Sequence, residues 1–197
     1  AFLDAQWYQK SWQSIQANTL PVPDPIVTCD TPLGEVEWDV AICGGTLGIA
    51  IGVALAQKGW RTVVIERGVL RGRDQEWNIS RRELDAFIEL ELLTEDELDR
   101  AIATHYNPAR VSFFEGPEIW VRDILNIGVD PVYLLDTLKQ KFLAAGGKLL
   151  ENTPFTKAVV HPDGIAIEAG GRLTARLMLD AMGHFSPLAA QARAGKK

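Results

Sequence analysis

The chain has 197 residues, of which 47% are hydrophobic and 23% are charged. This composition is typical of a globular protein, and the length suits one domain, or one domain with an appendage. The net charge is -6 and no stretch clusters lysine and arginine, which argues against a nucleic-acid partner. The apolar runs are too short to span a bilayer, and the two cysteines supply neither a disulfide framework nor a zinc motif, so no metal is expected.

The N-terminal residues predict a short helix over 2–18 and then a proline-rich linker. Apolar side chains of this helix, among them Trp7 and Trp12, fall within one broad stripe. The stripe either packs on the chain's own core or docks on a partner protein, since large aromatic residues concentrate at interface hot spots. Four prolines between residues 21 and 32 exclude a regular helix or a central strand. We therefore expect an arm and linker over 1–34 and a nucleotide-binding domain over 35–197.

A strand, a glycine-rich turn, a helix and a second strand follow the linker. Residues 40–43 predict a short buried strand that ends at Gly44-Gly45. Small and apolar residues predict a helix over 47–58, closed by Gly59. The β-branched run over 62–65 predicts the second strand. Such a unit joins two parallel strands by a right-handed crossover.

The remaining elements complete an α/β pattern. A helix is predicted over 81–93, and Thr94 with Glu97 forms a capping box for another helix that ends by residue 107. Short strands are expected at 113–114 and 119–121, and Asp130-Pro131 begins a helix over 132–145. A buried strand at 148–150 precedes an antiparallel meander over 156–160, 164–168 and 173–179. We therefore predict a Rossmann-like FAD-binding fold with a parallel sheet, a helical insertion and an antiparallel β-meander.

The turn between the first strand and helix resembles the dinucleotide fingerprint G-x-G-x-x-G. Gly45 and Gly48 occupy the second and third glycine positions. Gly45 would let the backbone approach a pyrophosphate, and Gly48 would let the helix lie close to the strand. Cys43 stands at the first position, where glycine is expected, and Gly44 beside it can take over the tight bend. The alternative interpretation is that these glycines serve packing alone.

The start of the helix and the end of the next strand supply the binding chemistry. Backbone N–H groups of Thr46, Leu47 and Gly48 would form an anion site with the helix dipole. Glu66 ends the second strand, where an acidic side chain accepts hydrogen bonds from a ribose diol. The carboxylate would repel a 2′-phosphate, which disfavours NADP.

The spacing after Glu66 distinguishes two cofactors. In a plain dehydrogenase the third parallel strand follows soon, whereas here it comes only at 148–150. A long insertion, a returning strand and a meander are the layout of FAD domains in flavoproteins. The sequence therefore favours FAD over NAD.

Several stretches carry a resemblance to a known family. The chain resembles the FAD-dependent family that includes aromatic hydroxylases, geranylgeranyl reductases and lycopene cyclases, and more narrowly plant, algal and cyanobacterial flavoproteins described as lycopene-cyclase-like. The resemblance covers about residues 38–197. It rests on residues 43–49, 64–67, 73–81, 118–121 and 180–187.

The resemblance implies further cofactor-binding residues. The segment after the ribose-binding acid would fold back over the flavin or the diphosphate, although a solvated loop anchored by one tryptophan is the alternative. An arginine suits a diphosphate because its fork gives paired hydrogen bonds, but which arginine binds stays open. His184, in the turn beside the adenosine, is either structural or catalytic, and no catalytic residue is assigned. The implied residues are Arg67, Arg73, Gln75, Trp77, Asn78, Ser80, Arg81, Ala181, Met182 and Gly183.

Two functions from different classes remain open. The first is an FAD-dependent oxidoreductase, or a lycopene-cyclase-like enzyme, acting on an apolar isoprenoid-type substrate. The second is a truncated, non-catalytic FAD-fold subunit, docked on a photosynthetic complex through the N-terminal helix. Full members of the family carry a later Gly-Asp segment and a substrate-binding sheet, so we expect the fold to be incomplete at its C-terminus. The resemblance implies a chloroplast location, in the stroma or at the thylakoid, with the cytoplasm as the alternative.

Overall fold

The structure of the chain is a computed structural model, which describes residues 6, 9–10, 12–13, 23–183 and 186–193. Most of the helix predicted over 2–18, including Trp7, lies outside these residues, and so does His184. Trp12 belongs to a helical segment and is 60% exposed.

Twelve strands and five helices lie within residues 23–183 and 186–193. The strands are β1 (Ile26–Thr28), β2 (Trp38–Cys43), β3 (Thr62–Ile65), β4 (Trp77–Ile79), β5 (Ile102–His105), β6 (Ala109–Ser112), β7 (Glu118–Val121), β8 (Ile127–Val129), β9 (Lys148–Leu150), β10 (Lys157–His161), β11 (Gly164–Glu168) and β12 (Arg172–Asp180). The helices are α1 (Gly45–Gln57), α2 (Arg81–Glu89), α3 (Glu95–Ala101), α4 (Pro131–Ala144) and α5 (Pro187–Arg193).

A seven-stranded sheet in the order β1-β10-β11-β12-β2-β3-β9 forms the centre of the fold. Strands β12, β2, β3 and β9 are parallel, whereas β10, β11 and β12 form an antiparallel meander. The predicted βαβ unit, third parallel strand and meander are thereby confirmed. Two smaller sheets, β4-β8-β5 and β6-β7, lie in the insertion between β3 and β9.

The core lies on both faces of this sheet. On one face, α1 and α4 pack together over the parallel strands, and Phe142 and Val53 are fully buried there. Gly52 of α1 makes this packing close, because a Cβ atom there would lie 3.0 Å from Val64 and 3.2 Å from Phe142. On the other face a second cluster includes Ala41, Val63 and residues of the meander. This burial fixes α1 and α4 relative to the carboxyl ends of β2 and β3.

The sheet begins earlier than the predicted start at residue 35. Residues 26–28 form β1, which pairs in parallel with β10 at the edge of the sheet. Prolines excluded a central strand but not an edge strand, because an edge residue can leave one side of its backbone unpaired. The linker therefore contributes a strand to the fold.

Three predictions within the insertion are corrected. The helix predicted over 81–93 ends at Glu89, and Glu91 has a positive φ of 57°. The helix predicted to run from Thr94 to residue 107 ends at Ala101, and residues 102–105 instead form β5, which pairs with β8. Residues 113–114 lie in the turn between β6 and β7 rather than in a strand.

Candidate functional site

The tight bend between β2 and α1 is made at Gly44. This residue has a φ of +102°, and a Cβ atom there would lie 2.4 Å from the carbonyl oxygen of Ala181 and 2.8 Å from the nitrogen of Met182. Only glycine fits such a position, so Gly44 takes over the bend as predicted. Cys43 points into the core, where burial, together with the charge of Asp180, raises the pKa of its thiol to about 12.

Gly45 and Gly48 both permit close approaches, but to different partners. A Cβ atom on Gly48 would lie 2.7 Å from Cγ2 of Ile42, so this glycine lets α1 lie close to β2. A Cβ atom on Gly45 would lie 2.9 Å from Leu70 and 3.3 Å from Glu66 Oε2. Gly45 therefore makes room for the loop that follows β3.

The carboxylate of Glu66 lies at the N-terminus of α1. Its Oε2 accepts a hydrogen bond of 2.8 Å from the N–H of Gly45, and its Oε1 accepts one of 3.1 Å from the N–H of Gly68. A negative charge at this end of a helix is favourable, because the helix dipole and the unpaired N–H groups are positive there. Backbone hydrogen bonds to Leu150 and from Thr153 hold Glu66 beside the loop after β9.

A cleft of about 350 Å³ opens at the carboxyl ends of β2, β3 and β12. Six predicted residues line it, namely Gly44, Thr46, Glu66, Arg67, Ala181 and Met182. The prediction missed four further lining residues, namely Ile65, Pro154, Phe155 and Pro187. Phe155 could have been found from topology, because it follows the third parallel strand and ligands of open α/β sheets bind outside the carboxyl ends of the strands.

A second cleft, of about 450 Å³, also reaches the first turn of α1. The predicted residues Thr46, Leu47, Arg73 and Trp77 line it, together with Arg71 and Gly72 from the loop between β3 and β4. Thr46 lines both clefts. The two clefts therefore meet at Thr46, at the N-terminus of α1, and we refer to them together as the trough.

Besides Gly45 and Gly48, five predicted residues line neither cleft. Ser80 caps α2 in a reciprocal pair with Glu83, and Arg81 pairs with Asp85 at 2.8 Å. The Ser-x-x-Glu spacing was a sequence signal for this capping role. The remaining three are Gln75, which is exposed, Asn78, which lies in β4, and Gly183, which has a φ of +69°. Contact between these five residues and a cofactor stays a prediction.

Two further features are absent from the described residues. Within residues 23–183 and 186–193 and the few described residues before them, no group of three potential metal ligands occurs. Over the same part of the chain, every helix is too short or too polar to cross a bilayer.

Comparison with solved structures identifies the fold. A variant of halogenase PltM, solved in complex with FAD, matches with a TM-score of 0.62 and 15% identity, over 79% of this chain and 36% of its own. The Diels-Alderase PyrE3 matches with a TM-score of 0.61 and 20% identity, over 78% of this chain and 34% of its own. The anhydrotetracycline hydroxylase OxyS of Streptomyces rimosus matches with a TM-score of 0.60 and 18% identity, over 78% of this chain and 33% of its own.

This chain therefore has the FAD-binding fold and spans about a third of the length of these neighbours. No protein-family model and no curated protein sequence matches it.

Proposed function

We propose that the chain binds FAD along the trough and forms the nucleotide-binding part of an FAD-dependent oxidoreductase. The observation that carries this proposal is the position of Thr46, which lies in the first turn of α1 and lines both clefts. A long dinucleotide with a diphosphate at its middle fits such a site, because a helix N-terminus offers N–H groups and a positive dipole to the phosphates. The bend at Gly44 supports the fit, because it leads the chain directly from β2 into the N-terminus of α1.

The first cleft suits the adenosine half of the cofactor. Glu66 would accept hydrogen bonds from the ribose hydroxyls while its two oxygens keep the N–H groups of Gly45 and Gly68, since a carboxylate offers about four acceptor positions. Phe155 and Met182 supply apolar surface in the same cleft. These residues bind and orient the nucleotide.

The second cleft suits the diphosphate and the flavin side, with Arg73 as its cationic ligand. Arg71 already donates to the carbonyl of Gly72 at 3.0 Å and pairs with Asp74 at 2.7 Å. Arg73 lines the cleft and is exposed there. Arg73 is therefore the better placed of the two to form charge-assisted hydrogen bonds with phosphate oxygens. Trp77 would form an apolar wall.

Bound FAD would supply the electron-transfer chemistry, and the side chains of this chain would hold and orient it. Action on an apolar isoprenoid-type substrate, as in lycopene-cyclase-like enzymes, and a chloroplast location are narrower proposals that rest on the sequence resemblance alone.

Titration of the purified chain with FAD tests the proposal, with quenching of flavin fluorescence as the readout. We expect saturable binding, and a roughly 10- to 150-fold loss of affinity in Arg73→Gln, because hydrogen bonds to charged groups contribute about 1.5–3 kcal/mol. Arg71→Gln is the matched control and should change the affinity less. A folded chain that does not bind FAD would refute the proposal.

A second candidate function is the non-catalytic subunit. The observation that favours it is a group of exposed apolar side chains on and beside the β6–β7 hairpin, with Phe114 94% exposed; its other members are Phe113, Ile119, Trp120, Ile124 and Leu125. Large exposed side chains concentrated in this segment favour a docking role, because aromatic residues are enriched at protein interfaces. A folded chain that leaves FAD unbound, and whose Trp120→Ala variant loses binding to a purified photosynthetic complex, would favour this candidate.

A further inference from the structure

The loop that carries Arg71 and Arg73 rests on the first turn of α4. Gly72, between the two arginines, is buried. A Cβ atom on Gly72 would lie 2.3 Å from the carbonyl carbon and oxygen of Pro131 and 2.6 Å from the nitrogen of Val132. These are backbone atoms, so no side-chain rotation could relieve the contact. Glycine is therefore required for the loop to reach this position.

The parts on either side of this contact are held in place. Arg71 closes the loop by its hydrogen bond to the carbonyl of Gly72 and its ion pair with Asp74. Asp130 caps α4 by accepting from the N–H groups of Val132, at 2.8 Å, and Tyr133, at 3.2 Å. Behind the cap, α4 packs on α1. The contact at Gly72 thus connects the loop, through α4, to the helix whose N-terminus forms the middle of the trough.

We infer that Gly72 is a positioning residue, which sets the place of Arg73 relative to the first turn of α1 and so completes the diphosphate side of the trough. This inference rests on the proposed function. An alanine at position 72 would push the loop about 1 Å from α4 to reach ordinary contact distances. Arg73 would move with the loop, whereas the adenosine side of the trough, around Glu66, would stay in place.

Two ligands distinguish an effect on the diphosphate side of the trough from an effect on the adenosine side. AMP occupies only the adenosine cleft and the helix N-terminus, whereas FAD also requires the second cleft. In Gly72→Ala we expect the affinity for FAD to fall at least ten-fold and the affinity for AMP to change less than two-fold. Flavin fluorescence gives the first affinity and calorimetry the second.

Gly164→Ala is the matched control. Gly164 opens β11, an interior strand, close to the amino-terminal end of β2 and away from the trough, and a Cβ atom there would lie 2.7 Å from the carbonyl oxygen of Ala175. This variant also creates a backbone clash, and we expect it to lower the melting temperature without changing the ratio of the FAD and AMP affinities. It shows what general destabilisation does to binding.

A double variant tests whether Gly72 acts through Arg73. If it does, adding Gly72→Ala to Arg73→Gln should weaken FAD binding less than two-fold further. Three results would each overturn the inference while leaving FAD binding by the parent chain intact. Gly72→Ala could lose FAD and AMP affinity equally, or it could keep the parental FAD affinity. The losses of FAD affinity in Gly72→Ala and Arg73→Gln could also multiply fully in the double variant. A parent chain that binds neither FAD nor AMP would overturn the proposed function and the inference with it.

Discussion

Glu66→Ala should lower both the stability of the ligand-free chain and its affinity for FAD. The carboxylate accepts N–H groups from Gly45, at 2.8 Å, and from Gly68, at 3.1 Å. A hydrogen bond to a charged group contributes about 1.5–3 kcal/mol, and water can partly replace these two because the site is only part-buried. We expect a net loss of about 2–3 kcal/mol, which corresponds to a fall of roughly 4–12 °C in melting temperature for a domain of this size.

The loss of FAD affinity comes in addition, because the ribose hydroxyls lose their acceptor. We expect a cost of about 1–3 kcal/mol, or roughly 5- to 150-fold in Kd. Glu66→Gln should lie between the parent and Glu66→Ala, since its amide keeps one acceptor oxygen but loses the charge. Glu89→Ala removes an exposed carboxylate from the end of α2 and is the control for the change of net charge.

Thermal unfolding of the ligand-free variants gives the first effect, and FAD titration well below the melting temperature gives the second. If Glu66→Ala melts with the parent, the two N–H contacts contribute no stability and the capping role is wrong. If it melts early but binds FAD with parental affinity, the carboxylate supports the turn and does not touch the ribose.

Three further variants test the same edge of the sheet. Gly44→Ala should cost more than about 3 kcal/mol, because a side chain would meet Ala181 at a positive φ, and an unfolding midpoint equal to that of the parent would contradict this. Cys43→Gly places glycine at the first position of the fingerprint but removes a fully buried side chain. We therefore expect the free energy of unfolding in urea to fall by about 1–3 kcal/mol, and FAD to bind no more tightly. The ammonium of Lys139 lies 2.8 Å from Oε1 of Glu151, and this contact is the main reason that the pKa of Glu151 is below its usual range. The ionised Glu151 therefore stabilises the fold above the ordinary carboxyl pKa, and this stabilisation is lost as the pH falls through the lowered pKa. Glu151→Gln should therefore flatten the decline in melting temperature below about pH 5. A decline equal to that of the parent would refute this role of Glu151.

The nucleotide-binding unit could be predicted because its signals are local. The strand over 40–43, the helix after Gly44 and the β-branched run at 62–65 each have a pattern that points to one structure, and consecutive elements of this kind pair by a strict topological rule. The meander likewise has glycine turns between alternating segments. Both parts agree with the structure to within a few residues.

The structure of the insertion was harder to predict, because its strands are short and pair with strands that are distant in the sequence. Residues 102–105 continue a charged helix without a glycine or proline between them, and they become β5 because β8, over 127–129, offers hydrogen-bond partners. Phe113 and Phe114 have high strand propensity, but the turn at Glu115, with a φ of 53°, takes them out of the ladder. Pairing with a distant strand overrides local preference in the first case, and the turn overrides it in the second.

The site was predictable where the motif defines it and unpredictable where folding brings distant loops together. Gly44, Thr46 and Glu66 follow from the fingerprint and its strand. Phe155 and Gly72 enter the trough only because the loop after β9 and the start of α4 reach the same edge of the sheet. The signal for Phe155 is its place after the third parallel strand, whereas the immediate sequence of Gly72 carries no such signal.

The departure at Cys43 shows what determines the place of a required glycine. The carbonyl of Cys43 accepts the N–H of Ala181 at 2.7 Å, and the N–H of Gly44 donates to Ile65 at 2.8 Å, so β2 is held between its two neighbours up to this point. The side chain at 43 then points into a core with room for it, whereas the next residue meets the backbone of the returning strand. Glycine is needed where the neighbouring strand crowds the turn, which here is one residue after the position that the motif specifies. The bend that leads into the anion-binding N-terminus of α1 is kept, because it depends on this geometry and not on the letter at position 43.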